Sequence, residues 1–189
     1  MHVSHPSFFP ETRLDRIFGT AYPPLTERDT NAVKTPETPE DRLKALEIKL
    51  PETAAAIAHY QPYCVVGNLV FISGQIAIWE GVMQFEGKIG ESLGLVEARQ
   101  AARVAVLNVI AQAKAACGEL SRVKRCVRLG GYLNTAPTYT DHSTVMDHAS
   151  DVLIQAFGKE IGQHARFVVG VNSLPKNSPV EIEGIFEIS

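Results

Sequence analysis

From Val96 to Cys117, small and apolar residues return at helical spacing: Ala98, Ala102, Ala105, Val109, Ala113 and Ala116. Gly118 stands where such a helix would stop. A stripe so rich in alanine brings a helix backbone close to a flat neighbour, so this chain must also make a sheet. Arg99, Arg103 and Lys114 fall off the stripe and read as its solvated face.

The sheet is written on either side of that helix. Leu69–Ile76, LVFISGQI, is an apolar run rich in β-formers behind a Gly67-Asn68 turn, so Cys64–Val66 and Leu69–Ser73 should form a hairpin. Trp79–Leu95 is punctuated by Gly81, Gly87, Gly90 and Gly94 and reads as a long loop. Val123–Leu133 is a strand whose Val123, Val127 and Leu129 interleave with Lys124, Arg125 and Arg128. A second helix is predicted over Thr140–Phe157, its apolar side at Val145, Ala149, Val152, Leu153 and Ala156, with Gly158 ending it. Two strands close the chain, Arg166–Val171 and Pro179–Ile188. The order β-β-α-β-α-β-β predicts an α+β fold with the helices on one face of a mixed sheet.

Residues 1–55 read as an N-terminal extension or arm and 56–189 as the folded domain. Pro6, Pro10, Pro23, Pro24, Pro36, Pro39 and Pro51 forbid long regular elements in the extension. One short helix is predicted at Pro39–Ile48, capped by Thr38, with Leu43 and Leu46 as its apolar stripe.

A net charge of −3 lacks the basic excess of a dedicated nucleic-acid binder. Cys64, Cys117 and Cys126 form no CxxC pair or zinc spacing and read as free buried thiols in a reducing compartment. No apolar run reaches the ~20 residues of a membrane span, and MHVSHPSFFPETRLDR is no signal peptide. The expected location is cytoplasmic.

The chemistry concentrates near the C-terminus. Alternation puts Val180, Ile182, Phe186 and Ile188 on one face of the last strand and Glu181, Glu183, Ile185 and Glu187 on the other. Arg166 opens the preceding apolar strand, where a guanidinium can offer a bidentate fork to a carboxylate; a structural salt bridge to Glu181 or Glu183 is the alternative. His164, two residues earlier, shares that face and either enters a cleft or caps an interface. His142 and His148 lie six apart on the second helix, read as surface or satisfied residues, and make no metal pair. Cys126 has no base assigned to it.

The segment HARFVVGVNSLPKNSPVEIEGI resembles the C-terminal signature of the Rid/YjgF family, an arginine ahead of an LP turn and a VEIE strand. Pro62-Tyr63 with Gly67-Asn68-Leu69-Val70-Phe71-Ile72-Ser73-Gly74-Gln75 is similar to its N-terminal signature. The resemblance runs from about Tyr60 to the end. It implies a chorismate-mutase-like fold, a homotrimer with ligand clefts between subunits, and hydrolysis of 2-imino or 2-enamino acids to 2-keto acids and ammonia without metal or organic cofactor. It also implies roles: Arg166 would hold the substrate carboxylate, Glu181 would position the attacking water, and Tyr63 and Ser73 would line the cleft. The family's deaminases often carry an asparagine in the second helix where this chain has Met146. Other readings are a trimeric, non-catalytic carboxylate-binding protein and an endoribonuclease, an activity also attached to the family; the acidic balance disfavours the latter. No nucleic-acid or membrane partner is expected.

Overall fold

The computed structural model describes residues 38–53 and 59–189. Its elements, in chain order, are α1 (Pro39–Ala45), β1 (Tyr63–Val66), β2 (Leu69–Ile76), β3 (Ile78–Trp79), β4 (Val82–Met83), α2 (Leu95–Cys117), β5 (Val123–Asn134), α3 (His142–Gly162), β6 (Ala165–Val171) and β7 (Val180–Ile188). Five strands make one sheet in the order β1-β2-β7-β5-β6, antiparallel throughout except for the parallel pair β5–β6. The sheet is mixed and the fold α+β, as the sequence predicts.

β1 and β2 pair across the Gly67-Asn68 turn, Val66 opposite Leu69. One difference lies in the stretch expected to be loop, which carries the small hairpin β3–β4 with Glu80-Gly81 at its tip. Both tip residues have positive φ, the geometry a two-residue hairpin turn demands. Most of the expected arm, residues 1–37, lies outside the described residues. Its one predicted helix, α1, ends at Ala45, earlier than expected. Thr38 Oγ1 accepts from the Asp41 N–H at 3.1 Å and Asp41 Oδ2 accepts from the Thr38 N–H at 3.3 Å, a capping box. Leu43 inserts into the core, and Glu40 Oε1 accepts from the Leu120 N–H at 2.6 Å.

The helix-bearing face of the sheet is apolar: Val70, Ile72, Leu129, Leu133, Val180, Ile182 and Phe186 are buried there. Gly184 on β7 has Val109 of α2 beneath it; a Cβ would lie 3.0 Å from Val109 Cγ1. The alanine stripe therefore sits where close packing needs it. On β5 the expected alternation fails. Register shifts between Val123 and Arg125 and between Cys126 and Arg128 bury Val123, Cys126 and Leu129 and leave Val127 only half-buried.

α3 stops being regular where expected. Gly158 has φ of 78°, and the chain turns a further four residues before β6. That tail folds back on its own helix, since a Cβ on Gly162 would lie 2.7 Å from the Leu153 carbonyl oxygen. Cys117 and Cys126 are buried, but Cys64 is exposed, because among the described residues nothing lies over that face of the edge strand β1.

Candidate functional site

β6 is an edge strand, and its register puts Arg166 opposite Leu129, on the helix-bearing face. There the guanidinium meets α3. Nη2 donates to Asp147 Oδ1 at 2.9 Å and Nη1 donates to Ser150 Oγ at 2.8 Å. Asp147 and Ser150 are three apart on the helix and so share a face. Ser150 Oγ, having accepted from arginine, lies 3.1 Å from His164 Nε2, and His164 Nδ1 lies 2.7 Å from the Gly162 carbonyl oxygen. A carbonyl only accepts, so Nδ1 carries the proton and Nε2 takes the serine proton. Burial, with Arg166 nearby, holds the His164 imidazole below its ordinary basicity, against the opposing pull of the Gly162 carbonyl.

The salt bridge anticipated from Arg166 to Glu181 or Glu183 is not the one formed, and register gives the reason. Glu181 pairs with Tyr132 and Glu183 with Gly130, on the face away from the helices. The acid that reaches Arg166 comes from α3 instead. Asp147 is 59% exposed and the Arg166 side chain 21%, so the pair borders solvent and can open.

Glu181 heads a second cluster. Its carboxylate lies over Gly74, where a Cβ would clash with Oε1, which accounts for glycine in the Ser73-Gly74-Gln75 run. Gly130 makes the same room for Glu183 Oε1, 2.7 Å from where its Cβ would be. Burial first, and then the Glu183 charge, push the Glu181 carboxyl above its usual range.

Tyr63 and Ser73 lie elsewhere. The Tyr63 hydroxyl donates to the Ala115 carbonyl at 3.4 Å, and the Ser73 hydroxyl donates to the Gln61 carbonyl at 2.8 Å. β1 and β6 are opposite edges of the sheet, four strand spacings or about 19 Å apart. One copy therefore brings His164 to Arg166 but brings neither Tyr63, Ser73 nor Glu181 to it. Met146 is fully buried under Gly131, in the core. His142, read as surface or satisfied, has a buried Nε2 with no hydrogen-bond partner among the described residues, and the Tyr139 hydroxyl likewise. Among the described residues no group of three His, Cys, Asp or Glu is placed to hold a metal, and no helix is long and apolar enough to cross a membrane.

A known family covers most of this architecture: the YjgF/chorismate mutase-like family, described as a candidate endoribonuclease, matches residues 40–186. The chain belongs to the YjgF family. A candidate endoribonuclease from Shewanella oneidensis MR-1 is 41% identical, with a TM-score of 0.77 over 80% of this chain and 99% of its own. Protein TCP17 of Trypanosoma cruzi is 40% identical over 147 residues, 78% of this chain and 92% of that protein. RidA from an Antarctic Psychrobacter is 28% identical, with a TM-score of 0.51, covering 72% of this chain and 94% of its own. In this YjgF protein the residues that sequence reasoning missed are Asp147 and Ser150 as partners of Arg166. Their i, i+3 spacing was the available signal, but it says nothing of which strand they face.

Proposed function

We propose that this YjgF protein hydrolyses 2-imino and 2-enamino acids to 2-keto acids and ammonia, in clefts completed between copies of a homotrimer. The observation that carries the reading is the Arg166 fork, held at the α3–β6 edge by partners a ligand can replace. Asp147 already presents a carboxylate to Nη2, at 2.9 Å, so the guanidinium is oriented for an oxygen acid before any substrate arrives. An exposed pair of this kind contributes about 0–1 kcal/mol, so a substrate carboxylate exchanges with Asp147 at little cost.

The iminium carbon is already electrophilic, and the task that remains is to place water beside it. Water adds to C2 and gives up a proton; the tetrahedral carbinolamine then expels ammonia as the C2 oxygen becomes the keto group. Glu181 suits the proton transfers, because burial and then the Glu183 charge raise its carboxyl above the usual carboxylate range. Arg166 and Glu181 face opposite sides of one sheet, so the Glu181 that meets a given Arg166 belongs to another copy. Ser73 lies on β2, next to β7 in the strand order, and would come with Glu181, whereas Tyr63 faces the helices and donates to the Ala115 carbonyl of α2.

The test is keto-acid release from imines generated in place by an amino-acid oxidase. Acceleration over spontaneous hydrolysis, lost in Arg166→Ala, is expected. Binding of small carboxylates to Arg166 without acceleration would replace the enzyme by a carboxylate-binding protein. RNA cleavage insensitive to Arg166→Ala would overturn both.

A further inference from the structure

Three residues of β6 face the helices in succession: Arg166, Val168 and Gly170, opposite Leu129, Gly131 and Leu133. The first is a cation and the second is apolar and packed against the core. The third opens a cavity of about 270 Å³, lined by Thr135, Pro137, Tyr139, His142, Gly170 and Asn172. The missing side chain of Gly170 helps to make that space. A Cβ there would stand 2.7 Å from Thr135 Oγ1 and 3.0 Å from His142 Nε2.

Two residues lining the cavity carry buried polar atoms with no hydrogen-bond partner among the described residues, His142 Nε2 and the Tyr139 hydroxyl. Such atoms are uncommon in native proteins, because leaving one unpaired forfeits the hydrogen bond it made to water. Thr135 adds a hydroxyl. Burial raises the Tyr139 phenol, so it stays a donor. The charges around the cavity are mixed. The Lys88 ammonium donates to the Thr135 and Asn172 carbonyls, and the Asp141 carboxylate and the Arg99 guanidinium both act on Tyr139. With charges of both signs at its rim, the cavity suits an uncharged polar group.

We propose that this cavity receives the far end of the substrate, and that the preferred substrates are 2-imino acids whose side chain ends in an uncharged group able both to donate and to accept, such as a carboxamide. The inference rests on Arg166 gripping the carboxylate at the near end. Arg166 and Gly170 are four strand residues, or about 13 Å, apart. Hydrogen bonds take about 3 Å at each end, leaving about 7 Å for the ligand, the reach of an extended five-carbon acid. Val168 lies between the polar ends and suits the methylene linker.

The test uses three stable five-carbon probes on the full-length protein by calorimetry: pentanoate, glutarate and the glutaric monoamide. The monoamide should bind about tenfold tighter than pentanoate, the effect of one or two net hydrogen bonds. The monoamide-to-pentanoate ratio should fall to about one in His142→Phe and in Gly170→Ala, whose Cβ would fill the niche. Gly170 has no positive φ, so alanine meets no backbone strain there. Equal binding of monoamide and pentanoate, or tighter binding of glutarate than monoamide, overturns the substrate class and leaves the Arg166 reading standing. If none of the three binds, the Arg166 reading fails and takes this inference with it.

Discussion

At the scale of single residues, charge placement matters most. Arg166 is a donor-only group, Ser150 relays its proton direction, and His164 must stay neutral to accept from Ser150. The pH consequence follows from the sign of the shift. His164 and His148 are both depressed below their ordinary 6.5, burial being the leading cause in each. The unfolded chain therefore binds protons that the folded chain refuses. The stability these two groups contribute is complete above pH 6.5 and is lost as pH falls through their folded values. Urea midpoints should drop on acidification below 6.5, and His164→Gln should flatten that slope in part, His148 keeping the remainder. A slope identical in wild type and variant would show that His164 is not held neutral. Glu181, whose carboxyl is raised above 4.5, works in the opposite sense: its contribution is greatest below 4.5 and is lost as pH rises through its folded value.

At the scale of elements, the end of α3 decides where Arg166 sits. Gly158 breaks the helix with a positive φ, which alanine or any larger residue would resist. The tail then returns to the helix so tightly that Gly162 touches backbone at Leu153 and Ile154. Backbone cannot swing aside as a side chain does. Gly162→Ala should therefore destabilise the protein by about 2 kcal/mol, a fall in Tm of about 6 °C. Gly131→Ala meets only the flexible Met146 side chain, 2.7 Å from its sulfur, and should cost less. Thermal melts of the two variants side by side check the ordering; equal Tm values would mean that the tail yields. The sequence carried Gly158 as a stop signal, but the return of the tail depends on contacts that no local pattern encodes.

At the scale of the whole molecule, the sheet has one face under helices and one face that is bare among the described residues. The bare face pairs Cys64, Phe71, Ile185 and Arg128 across four strands and carries Val169 beside Tyr132 and Glu181. Phe71 is 38% and Val169 42% exposed, an apolar presence that a second copy would cover. Proposed halves of the site on opposite faces lead to a direct assay of the trimer. Arg166→Ala and Glu181→Ala chains should each be inactive. Unfolded together in equal amounts and refolded, they should regain about a quarter of wild-type activity, because random mixing sets an intact Arg166 beside an intact Glu181 in about one interface in four. No recovery would place both residues in one copy's site.

Period and punctuation sufficed for much of this protein. The alanine stripe, the Gly67-Asn68 turn and the alternation of Val180, Ile182 and Phe186 all act between near neighbours, so a linear reading finds the α+β order and the buried face of β7. The same reading singled out Arg166 and His164, which prove to share Ser150. Tertiary structure alone decided which acid Arg166 meets, that β5 carries two register shifts, that Trp79–Leu95 begins with a hairpin, and that His142 Nε2 is buried without a hydrogen-bond partner among the described residues. Each of those depends on strand order and register. A shift of one residue in pairing moves a side chain to the other face of the sheet, and nothing in the local sequence fixes which strand lies alongside.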